Sequence, residues 1–465
     1  MPQYLRIASP GVADPLALTI LGVGTSRYSG NKDVIGMFST GSKQATALLL
    51  RNHLPPMYIT GNLRMQYKTK PLVVEGHSFQ QVVVTYSGTD AEGKNRSSTE
   101  DMGYTTDMGT ADWHDVTMAP REYVANAIDA VYKQGLSLDM VEIDIVENIR
   151  AKKDWTQVYV PVNEEILRFY WELHTRFLHF GRPELLERKL LPKIVEGDDK
   201  TRVYKKGVLV KVMDKPSVWD YNLGDELRLD ESRNADDWDA RRGIALALAH
   251  ADRGSLAVVV KAVATAENRA ALVETTLDPD YLRDRYSGDN KEGRQEEWKG
   301  AFAAVAGEQG VATSGLAGVA SHVEAKGYVP FQMPANWITV LGEMEVPTED
   351  KVLTESEKAG EIVSEPTPAM LQAVDDVWAL FESFGLTNDK QKPPVKAFLS
   401  TMTAGAQVRG RYRDGTVFLH SDLSEMTPLT RKVALEEVTH HVTGAGDMSR
   451  DLQDFLFRLV TAIVW

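Results

Sequence analysis

The ten residues from Arg121 to Ala130, REYVANAIDA, constrain this chain more than any other stretch. Tyr123, Val124, Ala127, Ile128 and Val131 recur at the spacing of one helical face, which predicts a helix with Pro120 near its start. Offsets of four and three then set Glu122, Asn126 and Asp129 together along the border of that face. A carboxylate, a carboxamide and a second carboxylate so placed offer a base, a neutral oxygen for a hard cation and a further acceptor. That is the set which ATP hydrolysis at a magnesium site requires. A solvated surface face can carry the same spacing; what favours chemistry is that the polar stripe adjoins the apolar one.

Composition sets the outer bounds. The sequence has 465 residues, 43% hydrophobic and 25% charged, enough for a globular protein of several domains. No apolar run reaches the ~18 residues of a membrane span, and the N-terminus lacks the basic, apolar and small-residue order of an export signal. With no cysteine there are no disulfides and no thiolate metal sites. A net charge of −14 disfavours a broad footprint on nucleic acid. The expectation is a cytoplasmic protein that binds neither membrane nor, by default, nucleic acid.

Residues 18–51, LTILGVGTSRYSGNKDVIGMFSTGSKQATALLLR, read as an apolar segment, a Gly/Ser/Thr-rich loop and a helix beginning near Gly41. Loop amides ahead of a helix N-terminus suit a phosphate. GMFSTGSK over 36–43 transposes the serine and lysine of a Walker loop, so a P-loop is rejected, while an ordinary glycine-rich turn opening a core helix stays open.

IGMFSTGSKQA (35–45) resembles the third ATP-binding box of the GHKL ATPases, the superfamily of gyrase B, MutL and histidine kinases, and REYVANAIDA resembles their N-box. The order is reversed: in those proteins the N-box helix comes first, then a strand, a D-x-G-x-G turn, a lid and the glycine box. Here the glycine box precedes the N-box, the strand 141–146 follows the N-box helix as expected, and the turn's counterpart is Ser9-Pro10-Gly11-Val12-Ala13. Ser9 stands in the place of the adenine-reading aspartate, Ala13 in that of the second glycine, and Ser39 in that of the glycine box's central glycine. The permuted order is similar to that of phage rIIA-type ATP-binding proteins and their bacterial relatives, over roughly residues 9–260.

The resemblance implies an α+β chain: a permuted GHKL (Bergerat-type) α/β sandwich over 1–195, then an α/β transducer-like domain over 196–343. It implies ATP and Mg2+ as ligands, with Glu122 polarising the attacking water, Asn126 holding magnesium and Asp129 in the nucleotide pocket. Gly36, Thr40, Gly41, Ser42 and Lys43 would cradle the phosphates. A lysine from the following domain would reach the γ-phosphate, with Lys206 or Lys205 the candidates and Arg233 and Arg241 behind them. It also implies slow hydrolysis coupled to a conformational switch in phage infection or host conflict inside a bacterial cell, with an unknown protein partner or a second copy as a homodimer.

In the rest of the chain, strands are expected at 203–212 and 255–263, and helices near 237–251, 265–275 and 314–326. Residues 344–368 read as an extended acidic linker. Residues 369–465 read as a mainly helical, degenerate zincin-like domain with a hairpin at 406–420. There Glu436, His440 and Asp447 have the ligand types of a zinc site, with Glu437 as base, and the alternative function is a Zn2+-dependent hydrolase. A helix whose polar residues pair among themselves, or a nucleotide fold kept only as a scaffold, accounts for the same residues.

Overall fold

A computed structural model describes residues 2–20, 35, 40–230, 232–265, 271–284, 291–358, 363–399, 402–403, 406–407, 409–445 and 450–464. The chain forms two compact units, Met1–Ile244 and Ala245–Trp465.

The first unit is built on one antiparallel sheet. Strands β1 (Tyr4–Pro10), β2 (Met57–Thr60), β3 (Asn62–Val74), β4 (His77–Thr89), β5 (Asn95–Arg96), β6 (Thr99–Thr105), β7 (Glu142–Val146) and β8 (Trp155–Pro161) lie in the order β5-β4-β3-β2-β8-β1-β7, with β6 also paired to β4. Along β3, Leu63, Met65 and Tyr67 are buried while Asn62, Arg64 and Lys68 are exposed. Such alternation is expected of a sheet with one face in a core and the other in water. Among the helices beside the sheet are α1 (Pro15–Thr19), α2 (Gly41–Arg51) and α3 (Met118–Lys133).

Helix α3 forms where the apolar period places it. Tyr123, Val124, Ala127, Ile128 and Val131 are all buried, the first four in one core with Leu48 and Leu49 of α2 and with Leu5, Tyr58 and Val84 of the sheet. Pro120 lies inside the first turn, where the missing amide proton costs no helical bond. Tyr123 meets Tyr58 edge to face at 5.5 Å, and its hydroxyl lies 3.3 Å from Thr46 Oγ1 on α2, so the two helices are keyed together by a buried polar contact.

A second, four-stranded sheet completes the first unit, with β9 (Leu190–Leu191), β10 (Thr201–Lys205), β11 (Val208–Met213) and β12 (Asp220–Leu223) in the order β11-β10-β12-β9. Fully buried Asp220 ties it together, accepting from the Arg202 and Ile194 amides, each at 2.8 Å, and from Lys193 Nζ at 3.2 Å. The first compact unit runs to Ile244 and so takes in this sheet. Val208 of β11 lies in the same apolar core as α2 and α3, and the Leu178 amide donates to the Gly207 carbonyl at 2.8 Å.

In the second unit, SLAVVVKAV at 255–263 is a helix, Arg253–Ala264, rather than the expected strand. Asp252 caps it, accepting from the Ser255 amide at 3.0 Å, and Leu256, Val259, Val260 and Val263 are fully buried at helical spacing. Burial of that face outweighs the β preference of the valines. Of the helix expected at 265–275, residues 266–270 lie outside the described residues, and Val273–Thr276 is a 3-10 turn. The helix near 314–326 runs from Ala317 to Ala325.

Within the stretch read as an extended linker, Glu349–Lys358 is helical because Val352 and Leu353 bury against Val311, Val319 and Val323. The C-terminal part is less purely helical than expected. Helices Pro368–Ser383, Pro428–Thr443 and Arg450–Val464 accompany a four-stranded sheet made from 363–364, 395–398, 410–413 and 416–420. Its hairpin turns at Asp414 and Gly415, whose φ values of 50° and 80° suit a two-residue turn. Among the described residues no helix is long and apolar enough to cross a membrane.

Candidate functional site

In the first unit, α3, the β10–β11 hairpin and the turn at 232–234 converge on one small pocket, part of it open to solvent. Arg121, Glu122, Lys205, Lys206 and Arg233 supply its charges, and Ile35, Ala125, Val208, Val210 and Leu229 its apolar wall. Four cations around one carboxylate leave an excess of positive charge, which favours an anion over a cation.

Glu122 is only 2% exposed. Its Oε1 accepts from Arg233 Nη2 at 2.9 Å and from Asn126 Nδ2 at 3.2 Å, while Oε2 is buried without a hydrogen-bond partner. The bond to Glu122 orients the Asn126 amide so that its oxygen turns away from the carboxylate. On the other side Glu122 meets the N-terminus of α2: a Cβ built on Gly41 would collide with its carboxylate group. Only glycine lets the two helices approach this closely, so the N-terminus of α2 lies directly against Glu122 of α3.

Arg121 points the other way along α3 and clamps the turn that carries Arg233. It donates from Nη1 to Asn234 Oδ1 at 2.9 Å and from Nη2 to the Ser232 carbonyl. Burial, then the neighbouring Arg233 charge, lowers its guanidinium to about 10. These bonds tie the turn at 232–234 to α3.

The β10–β11 connection is the two-residue turn Lys206–Gly207, with φ values of 49° and 77°. A lysine in the left-handed region is disfavoured by about 1 kcal/mol, and its side chain lines the pocket, 3.9 Å from Asp225. Beside it Lys205 donates to the Leu227 carbonyl at 2.6 Å, and burial lowers its ammonium.

Not every expected residue reaches the pocket. Asp129 is 1% exposed, and its carboxylate accepts from the Ile35 amide at 2.6 Å, holding the loop residue that forms part of the wall. Lys43, expected among the phosphate ligands, is buried and donates to the Ala17 carbonyl of α1 at 2.6 Å. Thr40 is the N-cap of α2 without a side-chain cap bond, and Ser42 is half-buried one turn inside it. Gly36 lies outside the described residues, and Arg241 is not among the residues lining the pocket.

Burial lowers Lys43 from 10.5 to about 8, with the Glu122 charge opposing the shift. Between those two pH values the unfolded chain binds the proton that the folded chain releases, so this group's contribution to stability rises as pH is raised across that window. Urea midpoints of the wild type should therefore gain on those of Lys43→Met from about pH 8 to about pH 10.5. Parallel curves would show that Lys43 does not titrate there.

Among the described residues, Glu436 and His440 form no metal-holding group with Glu437 or His441. Glu436 is exposed, while His440 is buried with Nδ1 2.8 Å from the Ala445 carbonyl. His441 places Nε2 2.8 Å from the Gln391 carbonyl, and Glu437 packs against Gly410. Asp447 lies outside the described residues, and among the described ones no group of three or more His, Cys, Asp or Glu is placed to hold a metal. One nitrogen of each histidine thus serves the backbone, and His441 Nδ1 lies 3.3 Å from the Tyr412 hydroxyl.

Two partners escaped the sequence reading. The Asp129 to Ile35 contact joins residues with no pattern between them, and the Glu122–Arg233 pair spans 111 positions. The one signal for the latter is the turn-forming run Asp230, Ser232 and Asn234 around Arg233.

Fold and pocket together define a mixed α+β protein with a cation-rich pocket beside an antiparallel sheet. No family model, curated protein or solved structure matches the chain.

Proposed function

We propose that the first unit binds Mg-ATP in a circularly permuted GHKL arrangement and hydrolyses it slowly, as a conformational switch in phage infection or host conflict. The observation that carries this reading is the convergence of Glu122, Lys206 and Arg233 on one pocket, with Asn126 and the Gly41 end of α2 both set against Glu122.

Strand pairing supports the permutation. Helix α3 leads into β7, and β7 lies antiparallel to β1 with Val146 opposite Tyr4. A chain in the usual GHKL order would pass from the end of β7 by a short hairpin into β1 and so to the turn at Ser9–Ala13. That turn is well anchored here: Gly11 has a φ of 99° and Thr156 Oγ1 donates to its carbonyl at 2.8 Å, while Thr60 Oγ1 donates to the Ala13 carbonyl at 2.8 Å.

The donor set fits the ligand. A side-chain amide oxygen is suited to magnesium, so Asn126 would hold the ion, which supplies charge neutralisation at the phosphates. The buried, unpartnered Nε and Nη1 of Arg233 offer donors for phosphate oxygens, and Lys206 adds a point charge. Glu122 would orient a water through Oε2 and take its proton as the water oxygen bonds to the γ-phosphorus and the bond to the bridging oxygen breaks, releasing ADP.

Titration of the purified chain with labelled ATP, with and without magnesium, tests the proposal. Saturable, magnesium-dependent binding is expected; no binding at millimolar ATP would leave the pocket to another anion.

A further inference from the structure

Arg233 is held in a way that a passive pocket wall does not need. Its φ of 61° lies in the left-handed region, where a residue with a side chain is kept only by strong local restraint. That restraint is visible. Asp230 accepts from Ser232 Oγ at 2.6 Å and from the Asn234 amide at 3.0 Å, the Arg233 amide donates to the Asp230 carbonyl at 3.0 Å, and Arg121 clamps both flanks. The turn thus fixes the backbone, while the guanidinium is only partly satisfied: Nη2 donates to Glu122, but Nε and Nη1 are buried without partners. Across from them Glu122 Oε2 is also buried and unpartnered. Both groups are 9% exposed or less, so their attraction is little screened and neither finds water as a substitute.

We propose that Arg233 is a ligand-operated latch on Glu122: in the empty pocket it neutralises the carboxylate, and the terminal phosphate of a nucleoside triphosphate draws it away and frees the base. This rests on the nucleotide reading above. A guanidinium bonded to the carboxylate fixes its orientation and offsets the negative charge that would draw a water's hydrogens. A phosphate carries more charge and three oxygens that match the guanidinium fork, so it competes for the idle donors of Arg233 first and for Nη2 next. A diphosphate lacks the group that reaches the turn and leaves the ion pair in place. The latch makes Arg233 a positioning residue as well as a phosphate contact, and it accounts for slow turnover without ligand-driven rearrangement elsewhere.

The test is a double-mutant cycle read by urea unfolding of the full chain, with wild type, Glu122→Gln, Arg233→Met and the double variant. Each is measured without nucleotide, with Mg-ADP and with a non-hydrolysable Mg-ATP analogue at saturation. Without nucleotide and with Mg-ADP, the two sites should be coupled by about a hundredfold in the unfolding equilibrium, as expected when one member of a buried pair is removed. With the triphosphate analogue the coupling should fall to about threefold or less. Arg233→Lys, which keeps the charge, replaces the methionine variant in the cycle if that one does not fold. Coupling that is absent without nucleotide, or the same with the analogue as without it, overturns the latch. If the wild type binds labelled ATP and the coupling is unchanged, the latch alone falls; if it binds no ATP, the nucleotide reading falls and the latch with it.

Discussion

A Glu122→Gln chain is expected to bind Mg-ATP with near wild-type affinity and to hydrolyse it about 10²–10⁴ times more slowly, the usual cost of losing a positioned general base. Glutamine keeps the side chain's volume beside Gly41 and keeps an oxygen for Asn126 Nδ2 and Arg233 Nη2, so the pocket stays assembled. What it loses is the ability to take a proton through Oε2. Both variants take the counter-charge from Arg233; alanine is the harsher because it also removes the oxygen that accepts from Arg233 Nη2 and so mixes a larger folding cost with the chemical one. Phosphate release from labelled ATP under single-turnover conditions checks this, and wild-type turnover in Glu122→Gln would remove Glu122 from the reaction.

Asn126→Ala should lose the magnesium dependence of ATP binding, with a fall in affinity of at least about 10–100-fold at saturating magnesium, the scale seen when a metal site loses a supporting group. Its effect on stability should be small, because Asn126 is only half-buried and its one bond is to Glu122. Affinity is therefore the quantity that separates a ligand-holding role from a structural one. ATP binding as tight as wild type, with the same response to magnesium, would refute the assignment.

The helix carrying the candidate site was legible because its signal is local. The period of Tyr123, Val124, Ala127, Ile128 and Val131 needs only the helix's own geometry to place Glu122 on the core border. The start of α2 at Gly41, the strand after α3 and the Asp414–Gly415 hairpin were legible for the same reason. Residues 255–263 were misread because β-branched valines favour strands locally, while four fully buried side chains at helical spacing and the Asp252 cap decide the matter in three dimensions. The acidic stretch around Glu349–Lys358 deceived in the opposite sense: two apolar residues, Val352 and Leu353, find a core that composition does not register.

By itself the sequence determined which residues could share a helix face, that Glu122, Asn126 and Asp129 would do so, and that a glycine would open the helix that follows the loop. Each is a consequence of repeat geometry or of a missing Cβ, and so is written within a few positions of chain. Tertiary structure alone decided which neighbours those residues meet. It gave Glu122 to Arg233 and to the pocket, turned Asp129 to the Ile35 amide, and buried Lys43 against α1. Buried charges seek partners wherever the fold brings them, and separation along the chain does not enter that energy.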